Sequence, residues 1–135
     1  MKNLEYGEGI RRPISGWVKS IAERLKSIRT VRDVEIVHRD ILKIKRKMLY
    51  SDIILYVVDA YSLGEGDVFE IIQDNPSINC ILVCSNWNHY SEDAEKLAME
   101  YGVGLFKLSE LMGAMNYNGS RFLEYKPPKR DDEDF

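Results

Sequence analysis

The residue types best placed for chemistry in this chain are cations. Arg39, Lys43, Lys45, Arg46 and Lys47 fall within nine residues, and Lys43 and Lys45 leave a strand in the same direction because side chains alternate with period two. A ribbon decorated in this way can lie along phosphates, each contact releasing counterions, so that binding falls with salt. The same lysines also suit a charged edge that blocks strand-to-strand aggregation. Other chemistry is thinner. His38 and His89 are the only histidines, and neither has the Cys/His spacing of a zinc site. His89, Trp87 and Tyr90 share a polar loop, where they either stack on a base or pack locally. Neither a Walker A motif nor GxGxxG occurs, so no nucleotide cofactor held by a glycine loop is expected.

The surroundings of these residues narrow the class. With 135 residues, 44% hydrophobic and 30% charged, the chain is one domain's worth of ordinary globular sequence. The longest apolar run is Ile53–Val58, too short to cross a membrane, so no membrane partner is expected. MKNLEYGEGIRR lacks an apolar signal segment, and a cytoplasmic location is expected. Cys80 and Cys84 sit on one face of a strand, too far apart to bridge, and read as reduced core thiols. The net charge of −3 hides an asymmetry: residues 1–50 carry 13 Lys/Arg against 6 Asp/Glu, and residues 51–135 carry 6 against 16. Such a split points to a polyanion-binding face, an acidic partner, or a homo-oligomer assembled through opposed charged faces.

The elements that must position these groups follow from periodicity. Pro13 suits a first helical turn, and Ile14, Trp17, Val18, Ile21, Ala22, Leu25 and Ile28 form a helical stripe after it. Residues 31–40 and 41–49 alternate as two strands, the second wet on one side. Residues 51–61 contain IILYVV, a continuous apolar run that fits a strand covered on both faces. Val68, Phe69, Ile71 and Ile72 predict a helix ending at Asn75-Pro76, and CILVC (80–84) another buried strand. Ser91 is placed to cap a helix that ends at Gly102. VGLFKL (103–108) reads as a strand and 109–115 as a closing helix. The order α-β-β-β-α-β-α-β-α predicts an α/β fold with a mixed central sheet and helices on both sides. A single domain is expected over 1–117 and a flexible acidic tail over 118–135.

That element order resembles the restriction-endonuclease-like fold, the PD-(D/E)XK nuclease superfamily. ILVCSNWNHYSEDAEKLAMEYGVGLFKLSELMGAM, residues 81–115, looks like the end of Mrr-type restriction domains. The resemblance implies an acid on the second strand and an acid-x-Lys on the third, the carboxylates holding Mg²⁺ or Mn²⁺ and the lysine supporting the attacking water. In this sequence Asp40 opens the second strand and Asp59 ends the third, and these become the implied catalytic and metal-binding residues. Tyr61 stands where the lysine is expected and cannot supply its charge. Asp52 is a second candidate for the first acid, and Glu23 is a candidate helix acid. The expected function is therefore nucleic-acid binding, to DNA or RNA, with weak or lost metal-dependent cleavage. The alternative is a non-enzymatic module that self-associates through its charges.

The tail ends Asp131-Asp132-Glu133-Asp134-Phe135, which resembles the acidic tips of single-stranded-DNA-binding proteins. Such a tip competes with nucleic acid for a basic surface. Truncation after Tyr125 is expected to raise nucleic-acid affinity, most at low ionic strength where screening is weakest. Titrations of both lengths at low salt check this, and equal affinities would remove the tail from that role.

Overall fold

IILYVV has no polar side because both of its faces are covered. In a computed structural model, which describes residues 10–11, 13, 15–60, 62–84 and 89–127, this run is the core of strand β4 (Ile53–Ala60). Strands β2 (Val31–His38) and β3 (Ile41–Arg46) precede it as an antiparallel meander, and β6 (Cys80–Val83) and β8 (Gly104–Lys107) follow in parallel, giving the sheet order β2-β3-β4-β6-β8. A two-residue strand, β1 (Ile10–Arg11), pairs with the end of β4, and β5 (Ser62–Leu63) pairs with β7 (His89–Tyr90) outside the main sheet. None of these three short strands is visible in the sequence pattern.

Alternation along β4 assigns the two layers. Ile53, Leu55 and Val57 face α1 (Ser15–Lys26), α4 (Leu108–Ala114) and α5 (Ser120–Leu123), in one core with Cys80, Leu82 and Phe106. Tyr56, Val58 and Ala60 face α2 (Glu65–Asp74) and α3 (Glu92–Glu100), in a second core with Ile81, Val83 and Leu105. The protein is thus an α/β fold with a mixed sheet and helices on both sides, and the principal elements follow the expected order. Caps hold where the sequence placed them. The Ser91 hydroxyl accepts from Ala94 N–H at 3.0 Å, and Gly102 takes φ +72° after α3. Trp17 departs from its stripe: the helix turns it to the rim, 41% exposed.

Two expectations are corrected here. The body does not end at 117, since Phe122 is buried against Phe106, and Tyr117 stacks on Tyr125. Tyr125 lies over Gly113, where any Cβ would collide with its ring. Lys126 Nζ then pairs with both carboxylate oxygens of the buried Glu95 at 2.6 Å. The expected tail therefore starts no earlier than Pro128; residues 128–135 lie outside the described residues, and a cut isolating their acids belongs after Pro127.

The second correction is Arg46. It is the third inward position of β3 after Leu42 and Ile44, and it is only 4% exposed. Its Nε donates to Ser51 O (2.6 Å), Nη1 to Met115 O (3.1 Å) and Tyr117 O (2.7 Å), and Nη2 to Asn118 Oδ1 (2.9 Å). The guanidinium also lies 5.2 Å from the Tyr50 ring and 5.5 Å from that of Phe122. Burial pulls its pKa down, opposed by Tyr50 and Asp52. A planar fork can serve this many acceptors, whereas an ammonium cannot. Arg46→Lys is therefore expected to cost about 3 kcal/mol by stranding buried carbonyls, seen as a fall of roughly 10 °C in Tm. Thermal denaturation checks this, and an unchanged Tm would show that the network is dispensable.

Candidate nucleic-acid interface

The carboxyl ends of parallel strands are where an open α/β sheet leaves room for a ligand, and both implied acids lie at that end of β4. Asp40 occupies the turn between β2 and β3, 4% exposed, and its carbonyl accepts from Val57 N–H at 2.8 Å. Asp59 lies two residues beyond Val57 on β4, so alternation turns it toward the α1 layer. Cys84 reports the same placement. Its thiol is pushed up to about 12, by burial first and by the Asp59 charge second. Cys84 also lines a cleft with Trp17, Ser20, Ile21, Arg24 and Leu108, between α1 and the end of β6. The meander and the central strand thus bring Asp40 and Asp59 onto neighbouring strands at one end of the sheet.

Other candidate acids fall away from this end. Asp52 precedes β4, and its Oδ1 accepts from Arg46 N–H at 3.1 Å. Seven residues of extended chain put it roughly 23 Å from Asp59. Glu23 projects into solvent from α1 and pairs with Lys26 at 3.4 Å, so it does not supplement the two aspartates. Among the described residues, no three His, Cys, Asp or Glu side chains gather closely enough to hold a metal ion. Tyr61 lies outside the described residues.

The cations are distributed differently from the sequence expectation. Arg39 is exposed at the β2–β3 turn, and Lys47 is exposed just beyond β3. Lys43 and Lys45 share one face as expected, but the register sets Glu35 opposite Lys43 and Asp33 opposite Lys45. Lys45 Nζ reaches Glu35 Oε2 at 3.6 Å. The middle of the hairpin is therefore a charge-balanced ladder, and its unbalanced positive charge sits at the two ends. Arg46 leaves the surface set altogether, because its guanidinium is spent inside the fold. Around the hairpin, Lys19, Arg24, Arg29 and Arg32 are further exposed cations, so the α1–hairpin layer stays basic despite the ladder.

The aromatic loop resolves only in part. His89 is exposed, Trp87 lies outside the described residues, and Tyr90 is half-buried with its hydroxyl donating to Glu110 Oε1 at 2.7 Å. Burial and Glu110 raise the Tyr90 pKa well above the usual phenol range, as befits a packing residue. Sequence reasoning missed the cleft. The one available signal was Ser20 and Arg24 at i and i+4, which share a helix face.

No family model, no curated protein and no solved structure matches this chain. Its chemistry must therefore be read from its own residues.

A raised thiol pKa has a direct consequence. At pH 8 Cys84 stays protonated, so native protein should react with a disulfide reagent at on the order of a thousandth of the rate of an ordinary thiol. Asp59→Asn removes the carboxylate that helps hold the thiol neutral, and labelling should accelerate. The sign for stability follows: with a raised folded pKa, the contribution is complete below about pH 8.5 and is lost as pH climbs toward about 12. Fast labelling of the native wild type would contradict the placement of Cys84.

Proposed function

We propose that this chain is a nucleic-acid-binding domain of restriction-endonuclease-like architecture in which metal-dependent cleavage is weak or lost. The observation that carries this reading is the Asp40–Val57 backbone bond, which sets one acid beside the strand that ends in the other. The element order and the exposed cations on α1 and the hairpin ends support it. Asp40 and Asp59 are the right kind of donor for Mg²⁺ or Mn²⁺, hard carboxylate oxygens. Bound there, such an ion would polarise a phosphoryl oxygen and lower the pKa of a bound water. The donor set is short, however, with two carboxylates and with tyrosine at the expected lysine position. Arg24 and Ser20, along the cleft, are the chain's own groups available to a phosphate, the guanidinium through paired donors.

Self-association through opposed charges is the weaker reading. Acids and bases already pair within one chain, as in Lys45–Glu35 and Lys126–Glu95, which leaves fewer charges for a second copy.

Affinity for duplex DNA is expected to fall steeply with salt. Arg39→Gln with Lys47→Gln should lower the salt slope by roughly 1 to 2, about 0.9 per lost phosphate contact, with an unchanged Tm because both side chains are exposed. With Mg²⁺ or Mn²⁺, linear DNA should be cut slowly or not at all, and any cutting should vanish in Asp59→Ala. Binding that ignores salt would sink the nucleic-acid reading, and rapid metal-dependent cleavage would sink the degenerate one.

A further inference from the structure

The turn joining β3 to β4 spends conformational strain on showing two apolar side chains to water. Tyr50 N–H donates to Lys47 O at 3.0 Å, which makes residues 47–50 a β-turn with Met48 and Leu49 at its centre. Met48 is 86% exposed and Leu49 90%. Leu49 has φ +79°, in the turn position that favours glycine or asparagine, where a branched aliphatic side chain is strained. A polar residue or glycine would serve the turn better, so folding alone does not account for leucine here.

The strain is held from several directions. Asn118 Nδ2 donates to Leu49 O at 3.2 Å, while its Oδ1 accepts from Ser51 N–H at 3.1 Å and from Arg46 Nη2 at 2.9 Å. Lys47 N–H donates to Thr30 O at 2.8 Å, and the Tyr50 hydroxyl to Asn116 O at 3.4 Å. The tip is thus a fixed projection with its own clamp. Three exposed cations belong to the segments that meet at its base: Lys47 itself, Arg29 next to Thr30, and Arg121 three residues after Asn118, its guanidinium 4.9 Å over the Tyr117 ring. Two exposed acids lie in these segments: Asp52, whose Oδ1 is engaged by Arg46 N–H, and Glu124, which lines a shallow pocket with Arg121.

We propose that Met48 and Leu49 form a wedge that inserts between base pairs of a nucleic-acid duplex, with Lys47, Arg29 and Arg121 on the flanking phosphates. The inference rests on the nucleic-acid reading above and deepens it. A base step offers flat apolar faces with anions a few ångströms to either side, which matches an apolar pair ringed by cations. Apolar wedges of this kind unstack one step and kink the duplex. Unstacking demands a rigid tool, and rigidity is what the Asn118 clamp supplies. An anionic bilayer shares the coarse chemistry but has no need of a strained, clamped turn two residues wide.

The experiment uses full-length protein and a 20-base-pair duplex carrying a donor and an acceptor dye at its ends. Wild type should bind at low salt and raise energy transfer, reporting a bend. Met48→Gln with Leu49→Asn keeps a residue that tolerates positive φ. It should lose the bend and bind roughly tenfold more weakly with an unchanged salt slope. Leu49→Gly should keep or raise the Tm while weakening the bend, which separates wedge from fold. Binding without a bend, or an equal bend in the double variant, overturns the wedge and leaves the nucleic-acid reading standing. Absence of any duplex binding by wild type overturns both. Sedimentation with phosphatidylserine–phosphatidylcholine vesicles that depends on Met48 and Leu49, with no duplex bend, overturns the wedge in favour of a membrane contact.

Discussion

The guanidinium of Arg46 is the interaction on which the amino end of the sheet depends. It reaches the β3–β4 turn through Ser51, the end of α4 through Met115, and the following segment through Tyr117 and Asn118. Met115 O also accepts from the Thr30 hydroxyl at 2.7 Å, so one helix-terminal carbonyl is shared between two strands' worth of chain. Helix ends leave carbonyls without intrahelical partners, and here a side chain from the sheet satisfies one of them. The arrangement explains why residues 116–127 pack on the domain: once Asn118 and Tyr117 are bound, Phe122 falls into the core and Lys126 meets Glu95.

Strand β4 divides the labour along its length. Its residues are buried on both faces, so its direction and register are strongly determined. Its carboxyl end carries Asp59 beside Asp40 and the cleft of Ser20 and Arg24. Its amino end carries Asp52, which binds Arg46 N–H, and the clamped turn. The two ends are separated by about 23 Å of extended chain.

The hairpin shows how pairing rewrites a charge pattern. In the sequence, Lys43, Lys45, Arg46 and Lys47 form one basic block. Pairing with β2 sets Glu35 and Asp33 against the two strand lysines, and the inward face takes Arg46 out of solvent. The positive charge left unbalanced on the hairpin sits at Arg39 and Lys47, with the exposed cations of α1 and Arg29 in the same layer. The ladder lysines lie on β3, paired on one side with β2 and on the other with β4, so the expectation that they block an open edge does not hold.

The sequence by itself determined the elements: the helical stripe of α1, the fully apolar β4, the Ser91 cap, and an order that allows little besides helices on both faces of a mixed sheet. Those features are local, set by period and by turn chemistry over a few residues, so they are legible in one dimension. It also placed Asp40 and Asp59 at strand ends. Tertiary structure alone decided the rest. Arg46 looks like any surface cation until the inward parity of β3 meets the end of α4, some seventy residues later. Residues 118–127 look like a tail until Gly113 makes room for Tyr125 and Asn118 reaches the Leu49 carbonyl. Such facts depend on contacts between segments far apart in sequence, and only the packed chain brings those segments within hydrogen-bond reach.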